Sequence, residues 1–199
     1  MIKFLKVNDS IPYKKFKDLY EEAFNLNQAY IEAISISSFN KLENEVDSRY
    51  VNLKYIDNED WTFFSNYNSR KAKDFETHNQ ISATFFWDVI NTQIRIKGHI
   101  KKSNTELSDK HFSSRSSKKN ALAISSMQSS IVESYDDILN NYKKVFKSSQ
   151  DLSIRPKYWG GYTFVPFFFE FWAGNSSRIN YRQSFSKHCD SWIERILEP

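Results

Sequence analysis

From residue 92 to 101 the chain alternates almost strictly, with Gln93, Arg95, Lys97 and His99 set against Ile94, Ile96 and Ile100. A period of two belongs to a strand with one wet and one buried face, and no amphipathic helix shares it. Residues 49–56 keep the same rhythm: Arg49, Val51, Leu53 and Tyr55 face one way, Tyr50, Asn52, Lys54 and Ile56 the other. On that reading Arg49 and Lys54 point to opposite faces and serve different groups, or are ordinary charges on an exposed edge. Further strands are predicted over 30–37, 61–65, 80–87, 158–172 and 191–197, with turns at 40–47 and 57–60.

Helical spacing appears four times. Pro12 sits near the start of the first helix, and Phe16, Leu19, Tyr20, Ala23 and Phe24 form its apolar face. The others fall at 69–78, 105–114 and 135–146, and the Ser/Lys-rich stretch 113–120 reads as a mobile loop. Strands that follow one another through short turns, with helices inserted, indicate an antiparallel β-barrel of the α+β class. A doubly wound sheet would need regular strand–helix alternation, and neither GxGxxG nor GxxxxGK[ST] is present. The 199 residues suit one domain.

Composition narrows the function classes. Aromatic residues make up 17% of the chain, which favours sheet and surfaces that stack on flat rings. A single cysteine, Cys189, excludes an internal disulfide or a multi-thiolate zinc site. The four histidines have no metal-ligand spacing, and the adjacent His188–Cys189 pair is no catalytic dyad by itself. The polar N-terminus and the lack of a long apolar run lead us to expect a soluble, cytoplasmic protein without a membrane partner. A net charge of +4 is spread along the chain without a basic block, so no nucleic-acid partner is expected. It suits a surface that attracts small phosphates.

The most informative local feature is Asn68-Ser69-Arg70-Lys71. Ser69 is a good N-cap, which puts two cations in the first helical turn, where the helix dipole is already positive. Either an anion binds between them, phosphate being the natural candidate, or they are a solvated basic turn. Arg178 and Arg182, beyond the aromatic run ending at Trp172, form a second basic pair that would reach one cleft from a strand or turn.

Taken in order, SRYVNLK (48–54), FFSNYNSRKAKDFE (63–76), TQIRIKG (92–98), QSS (128–130), YWGGY (158–162) and EFWAGNSSRINYR (170–182) resemble the pyridoxamine 5'-phosphate oxidases. The similarity runs from the helix near Pro12 to the closing WIERILEP. It implies an FMN-binding split barrel and a homodimer with two FMN sites at the subunit interface. The C-terminal stretch 158–199 would serve dimerisation and substrate binding. FMN contacts are implied at Arg49, Tyr50, Val51, Asn52, Leu53, Lys54, Phe64, Ser65, Arg70, Lys71, Gln93, Gln128, Ser129, Trp172 and Arg182. Arg70 and Lys71 would hold the FMN phosphate, which accounts for cations at the wrong helix end. Phe64 and Ser65 stand where Tyr and Thr are usual in the family.

On the substrate side the resemblance implies Lys54, His111, Arg115 and Lys119 as the phosphate grip, two retained and two changed. The family's R-x-H pattern near the reacting carbon reads Arg178 and Asn180, and asparagine hydrogen-bonds without carrying a proton. Ser116 and Ile124 replace a family Pro and Trp. The expected activity is oxidation of pyridoxamine or pyridoxine 5'-phosphate to pyridoxal 5'-phosphate, with dioxygen as acceptor. A related flavin oxidase acting on another small anionic ring, as in phenazine pathways, and a non-catalytic dimer binding FMN or pyridoxal phosphate are the alternatives.

Overall fold

A computed structural model describes residues 1–199. Its order is β1 (Lys3–Val7), α1 (Ile11–Asn25), β2 (Ala33–Asn40), β3 (Glu45–Asn58), β4 (Asp60–Asn66), α2 (Arg70–Thr77), β5 (Gln80–Trp87), β6 (Thr92–Lys102), α3 (Thr105–Ser113), α4 (Ser117–Ser125), α5 (Tyr135–Phe146), β7 (Trp159–Ala173), β8 (Tyr181–His188) and β9 (Ser191–Ile196). Six strands close on themselves through the antiparallel ladders β3–β2, β2–β5, β5–β6, β6–β7, β7–β4 and β4–β3. Closure removes the edges that an open sheet would expose.

Two long strands make the barrel split. β3 has 14 residues and pairs with β2 through its first half and with β4 through its second. β7 has 15 and passes from β4 to β6, then carries β8 outside the barrel. β9 extends β8, and β1 adds in parallel to the end of β3. The alternation read from 92–101 is borne out: Ile94, Ile96 and Ile100 are buried, while Arg95, Lys97 and His99 are more open.

The core is aromatic. Phe16 of α1 packs at a tilt against Trp61 and Trp87, with ring centres 4.5 Å and 5.5 Å away. Burying such a side chain contributes about 1.5–3 kcal/mol. The buried face of α1 is Tyr13, Phe16, Tyr20 and Ala23, whereas Phe24, expected on that face, is exposed. Tyr13 takes its place, because spacings of three and four run backwards from Phe16 as well as forwards.

Other expectations are corrected. The strand expected at 30–37 starts at Ala33, because Tyr30 turns with φ 49° and its carbonyl accepts the Ala33 N–H at 2.7 Å. The stretch 113–120 is not an irregular loop: α4 begins at Ser117, and buried Asn120 donates its Nδ2 to the Phe112 carbonyl at 3.0 Å. Strands β1 and β8 have no counterpart in the sequence reading.

The faces of β3 also differ. Leu53 pairs with Phe63 but Tyr55 with Thr62, so one extra residue, Lys54, bulges. Leu53 and Ile56 are consequently both buried, which strict alternation forbids. A second register shift lies between Lys97 and Gly98, where a Cβ on Gly98 would stand 2.9 Å from the Val165 carbonyl oxygen. Gly98→Val is expected to destabilise the fold by about 1–3 kcal/mol through overpacking, read as a lower urea midpoint at unchanged slope.

Candidate active site

Outside the barrel, the strands β3 and β4, the start of α2 and the α3–α4 region enclose a cleft of about 920 Å³. Arg49, Tyr50, Val51, Asn52 and Lys54 line it from β3, Phe64 and Ser65 from β4, and Arg70 and Lys71 from α2. His111, Arg115, Lys119, Gln128 and Ser129 complete the wall. Arg49 and Lys54, expected to serve opposite faces, share one cleft, which also takes Tyr50, Val51 and Asn52 between them and so draws on both faces of β3. Leu53, expected at the cofactor, is fully buried in the core and does not line the cleft.

One end is built around Lys71. The residue is only 6% exposed, and its ammonium donates to Ser65 Oγ at 3.2 Å and Ser69 Oγ at 3.3 Å, with no carboxylate in reach. Burial, then the nearby Arg49 guanidinium, pulls its pKa down to about 8. The first N–H groups of α2, on Arg70 and Lys71, have no acceptor in the chain. Ser69 stands at the N-cap but leaves them free, since its hydroxyl donates to the Asn66 carbonyl at 2.8 Å. Arg49 is fixed by Ser38 at 2.6 Å, Asp47 at 2.7 Å and buried Asp74 at 3.4 Å. Arg70 is half-exposed and paired with Glu43, Glu45 and Asp47 of the β2–β3 hairpin, rather than turned onto Lys71. A buried ammonium answered only by hydroxyls, beside free helix N–H groups, fits a phosphate.

The other end is flat and cationic. His111 lies on Phe64 with ring centres 3.7 Å apart and planes within 8°. Its Nδ1 shares a 2.8 Å hydrogen bond with the Tyr55 hydroxyl. Burial, and after it Arg115, Lys54, Lys3 and Lys119, pulls the imidazole pKa down to about 4. Arg115 lies over the Trp159 ring at 4.4 Å and donates to the Lys119 carbonyl at 3.0 Å, but its buried Nη1 has no partner. Lys54 pairs with Glu32 at 3.3 Å. Lys3, Tyr55 and Trp159 line this end although the sequence reading gave them no role. Lys3 was missed with β1, since KFLKV does not alternate and carries no clear strand signal.

The remaining candidates lie apart. Gln93, Trp172 and Arg182 are register partners across β6, β7 and β8. Arg182 is held there by buried Glu170 at 2.8 Å and the Glu198 carbonyl at 2.8 Å. Arg178, with φ 65°, and Asn180, whose Oδ1 accepts the Asn175 N–H at 3.0 Å, shape the β7–β8 connection. None of these five lines the cleft.

The fold and cleft define a split β-barrel with a groove lined by cations. Residues 21–148 match the family described as pyridoxamine 5'-phosphate oxidase, and residues 159–199 match the pyridoxine 5'-phosphate oxidase C-terminal dimerisation region. A pyridoxine/pyridoxamine 5'-phosphate oxidase of Haemophilus influenzae (strain 86-028NP) is 34% identical over 94% of this chain and 89% of its own. One of Colwellia psychrerythraea is 32% identical over 96% and 88%. Among solved structures, PhzG from Burkholderia lata 383, in complex with tetrahydrophenazine-1-carboxylic acid, superposes with TM-score 0.89 at 23% identity, covering 96% of this chain and 93% of that one. A pyridoxamine 5'-phosphate oxidase-related, FMN binding protein from Nostoc punctiforme gives 0.76 at 10% identity, with 96% and 99% covered. The chain belongs to the pyridoxamine 5'-phosphate oxidase family, whose members are FMN-dependent oxidoreductases. The matched dimerisation region supports a homodimer. No helix is long and apolar enough to cross a membrane.

If Lys71 holds the FMN phosphate, the anion favours its charged form, and binding takes up a proton once the free amine has lost one. FMN affinity is therefore expected to fall as pH rises above about 8, by fluorescence titration. Lys71→Met should lower affinity by roughly tenfold or more and flatten that slope.

Proposed function

We propose that the protein oxidises pyridoxamine or pyridoxine 5'-phosphate to pyridoxal 5'-phosphate, as an FMN-dependent homodimer with dioxygen as acceptor. The observation that carries this reading is the two-ended cleft: a buried, unpaired Lys71 at one end and the partnerless Arg115 Nη1 among further cations at the other. Two separated anion sites suit a phosphorylated cofactor and a phosphorylated substrate. Lys71, Arg49 and the start of α2 would hold the FMN phosphate, with Arg70 joining them on leaving its hairpin carboxylates. Tyr50, Val51, Asn52, Phe64, Ser65, Gln128 and Ser129 would bound the rest of the cofactor. Leu53 would serve only through its backbone, its side chain being in the core. Gln93, Trp172 and Arg182 would complete the site from the second subunit, which accounts for their distance from the cleft of their own chain.

Bound FMN supplies the redox chemistry, taking electrons from the amine- or hydroxyl-bearing carbon and passing them to dioxygen. The chain positions the substrate and keeps water away. Arg115 and Lys119 would bind its phosphate, with Lys54 beside them and His111 assisting. Arg178 of the second subunit would cover the substrate, and Asn180 would hydrogen-bond it without moving a proton. That asparagine is also the observation favouring a second reading, oxidation of another small anionic ring.

Anaerobic titration of the FMN-loaded protein with pyridoxamine 5'-phosphate should bleach the flavin band. Readmitted air should restore the band, with pyridoxal 5'-phosphate formed. A flavin that stays oxidised would reject this substrate and turn the search to other anionic rings or to a binding role. Arg115→Ala should raise KM about tenfold or more, as loss of a charged hydrogen bond does. Asn180→His should raise turnover; a fall instead would indicate a pocket specialised for a different ring.

A further inference from the structure

The cationic end of the cleft contains one side chain able to take a further proton, the imidazole of His111. It is clamped flat against Phe64, and Trp159 lies parallel to it at 6.2 Å between ring centres. The charged and titratable groups around it are Tyr55 and Lys54 from β3, Lys3 from β1, Arg115 after α3, and Lys119 from α4. No carboxylate pairs with it. In the free cleft, burial and those cations keep the ring neutral.

Tyr55 is what lets this ring change charge in place. A hydroxyl both donates and accepts, so it can donate to Nδ1 of the neutral ring and accept from Nδ1–H of the charged one without moving. Nε2 has no partner in the chain, and the residue lines the cleft. A dianion entering among Lys54, Arg115 and Lys119 would reverse the field that holds the ring neutral. A lysine here would be charged whatever bound, and a phenol never positive.

We propose that His111 takes up a proton when a dianionic phosphate enters this end of the cleft, so that the pocket prefers phosphorylated ligands to carboxylated ones by their charge. This rests on the reading above that the ligand's anionic group sits beside Arg115 and Lys119. A carboxylate brings half the charge and leaves the ring neutral, its Nε2–H still a donor but without the added positive charge. Binding of a phosphate is then proton-linked: affinity falls as pH rises through the pKa of His111 in the complex.

The test is an NMR titration of the histidine imidazoles in the FMN-loaded enzyme, the His111 signal being identified by its loss in His111→Gln. The ligands are 4-deoxypyridoxine 5'-phosphate, which lacks the oxidisable group, sulfate, a dianion that does not itself titrate near neutrality, and isonicotinate, a carboxylated ring. Alone, His111 should stay neutral down to about pH 4. With either dianion its proton affinity should rise about a thousandfold, enough to charge the ring near neutral pH, and with isonicotinate much less. In His111→Gln the dianions should bind more weakly and lose the pH dependence that His111 adds. If sulfate moves the signal but the phosphorylated ring does not bind, the proton-linked site stands and the substrate reading fails. If neither dianion binds, or one binds with His111 unmoved, the proposal is overturned.

Discussion

Strand β4 is hydrogen-bonded along both edges, to β3 on one side and β7 on the other. It is short, seven residues, and Trp61, Thr62, Phe63, Ser65 and Asn66 within it are buried. Because β4 joins the two long strands, the barrel closes only where it sits. Trp61 and Phe63 enter the core, while Phe64 and Ser65 line the cleft, the phenyl ring under His111 and the hydroxyl beside Lys71. The ring platform and the hydroxyl beside Lys71 thus lie on adjacent residues of a strand held along both edges, as a site needs if its parts are to stay within tenths of an ångström.

The cleft carries an electrostatic debt. Lys71 and Arg115 lose water on burial without gaining a carboxylate, and both pKa values move down for that reason. Buried charge of one sign is tolerated where something else offsets it, here the packed barrel and the buried Asp74–Arg49 pair. A ligand that returns the missing negative charge relieves the debt, so flavin and substrate each stabilise the fold on which they bind. The hairpin carboxylates around Arg70 meanwhile supply a temporary counter-charge at the mouth.

Much of this was legible in the sequence, for physical reasons. Strand β6 was legible because one face is wet and the other packed, so its residues must alternate. The cation pair Arg70 and Lys71 stood out in the sequence because cations at a helix start contradict the dipole, although the pattern alone left a bound anion and a solvated turn both open. The faces of β3 were misread because a bulge adds one residue without any local composition signal. Strand β1 was missed because a short strand at the margin of a sheet is stabilised by the neighbour it joins, and β8 because its mostly polar residues around Phe185 show no period. α4 was missed because its Ser/Lys start has the composition of a loop, and what makes it helical is the buried Asn120 contact with the end of α3. Resemblance could name Gln93, Trp172 and Arg182 together, yet only coordinates reveal that they stand apart from the cleft.

That separation bears on how the molecule comes into being. The closed circuit of six strands runs from Ala33 to Ala173 and needs neither β8 nor β9. A newly made chain can therefore complete its barrel, and with it Lys71 and the ring platform, before meeting a second copy. On the proposed assignment the flavin ring is enclosed only when two finished barrels meet. On that same assignment the phosphate cradle would form first, subunit pairing would follow, and the cofactor would be fully buried last. A lone subunit would be a folded chain that holds its coenzyme by the tail.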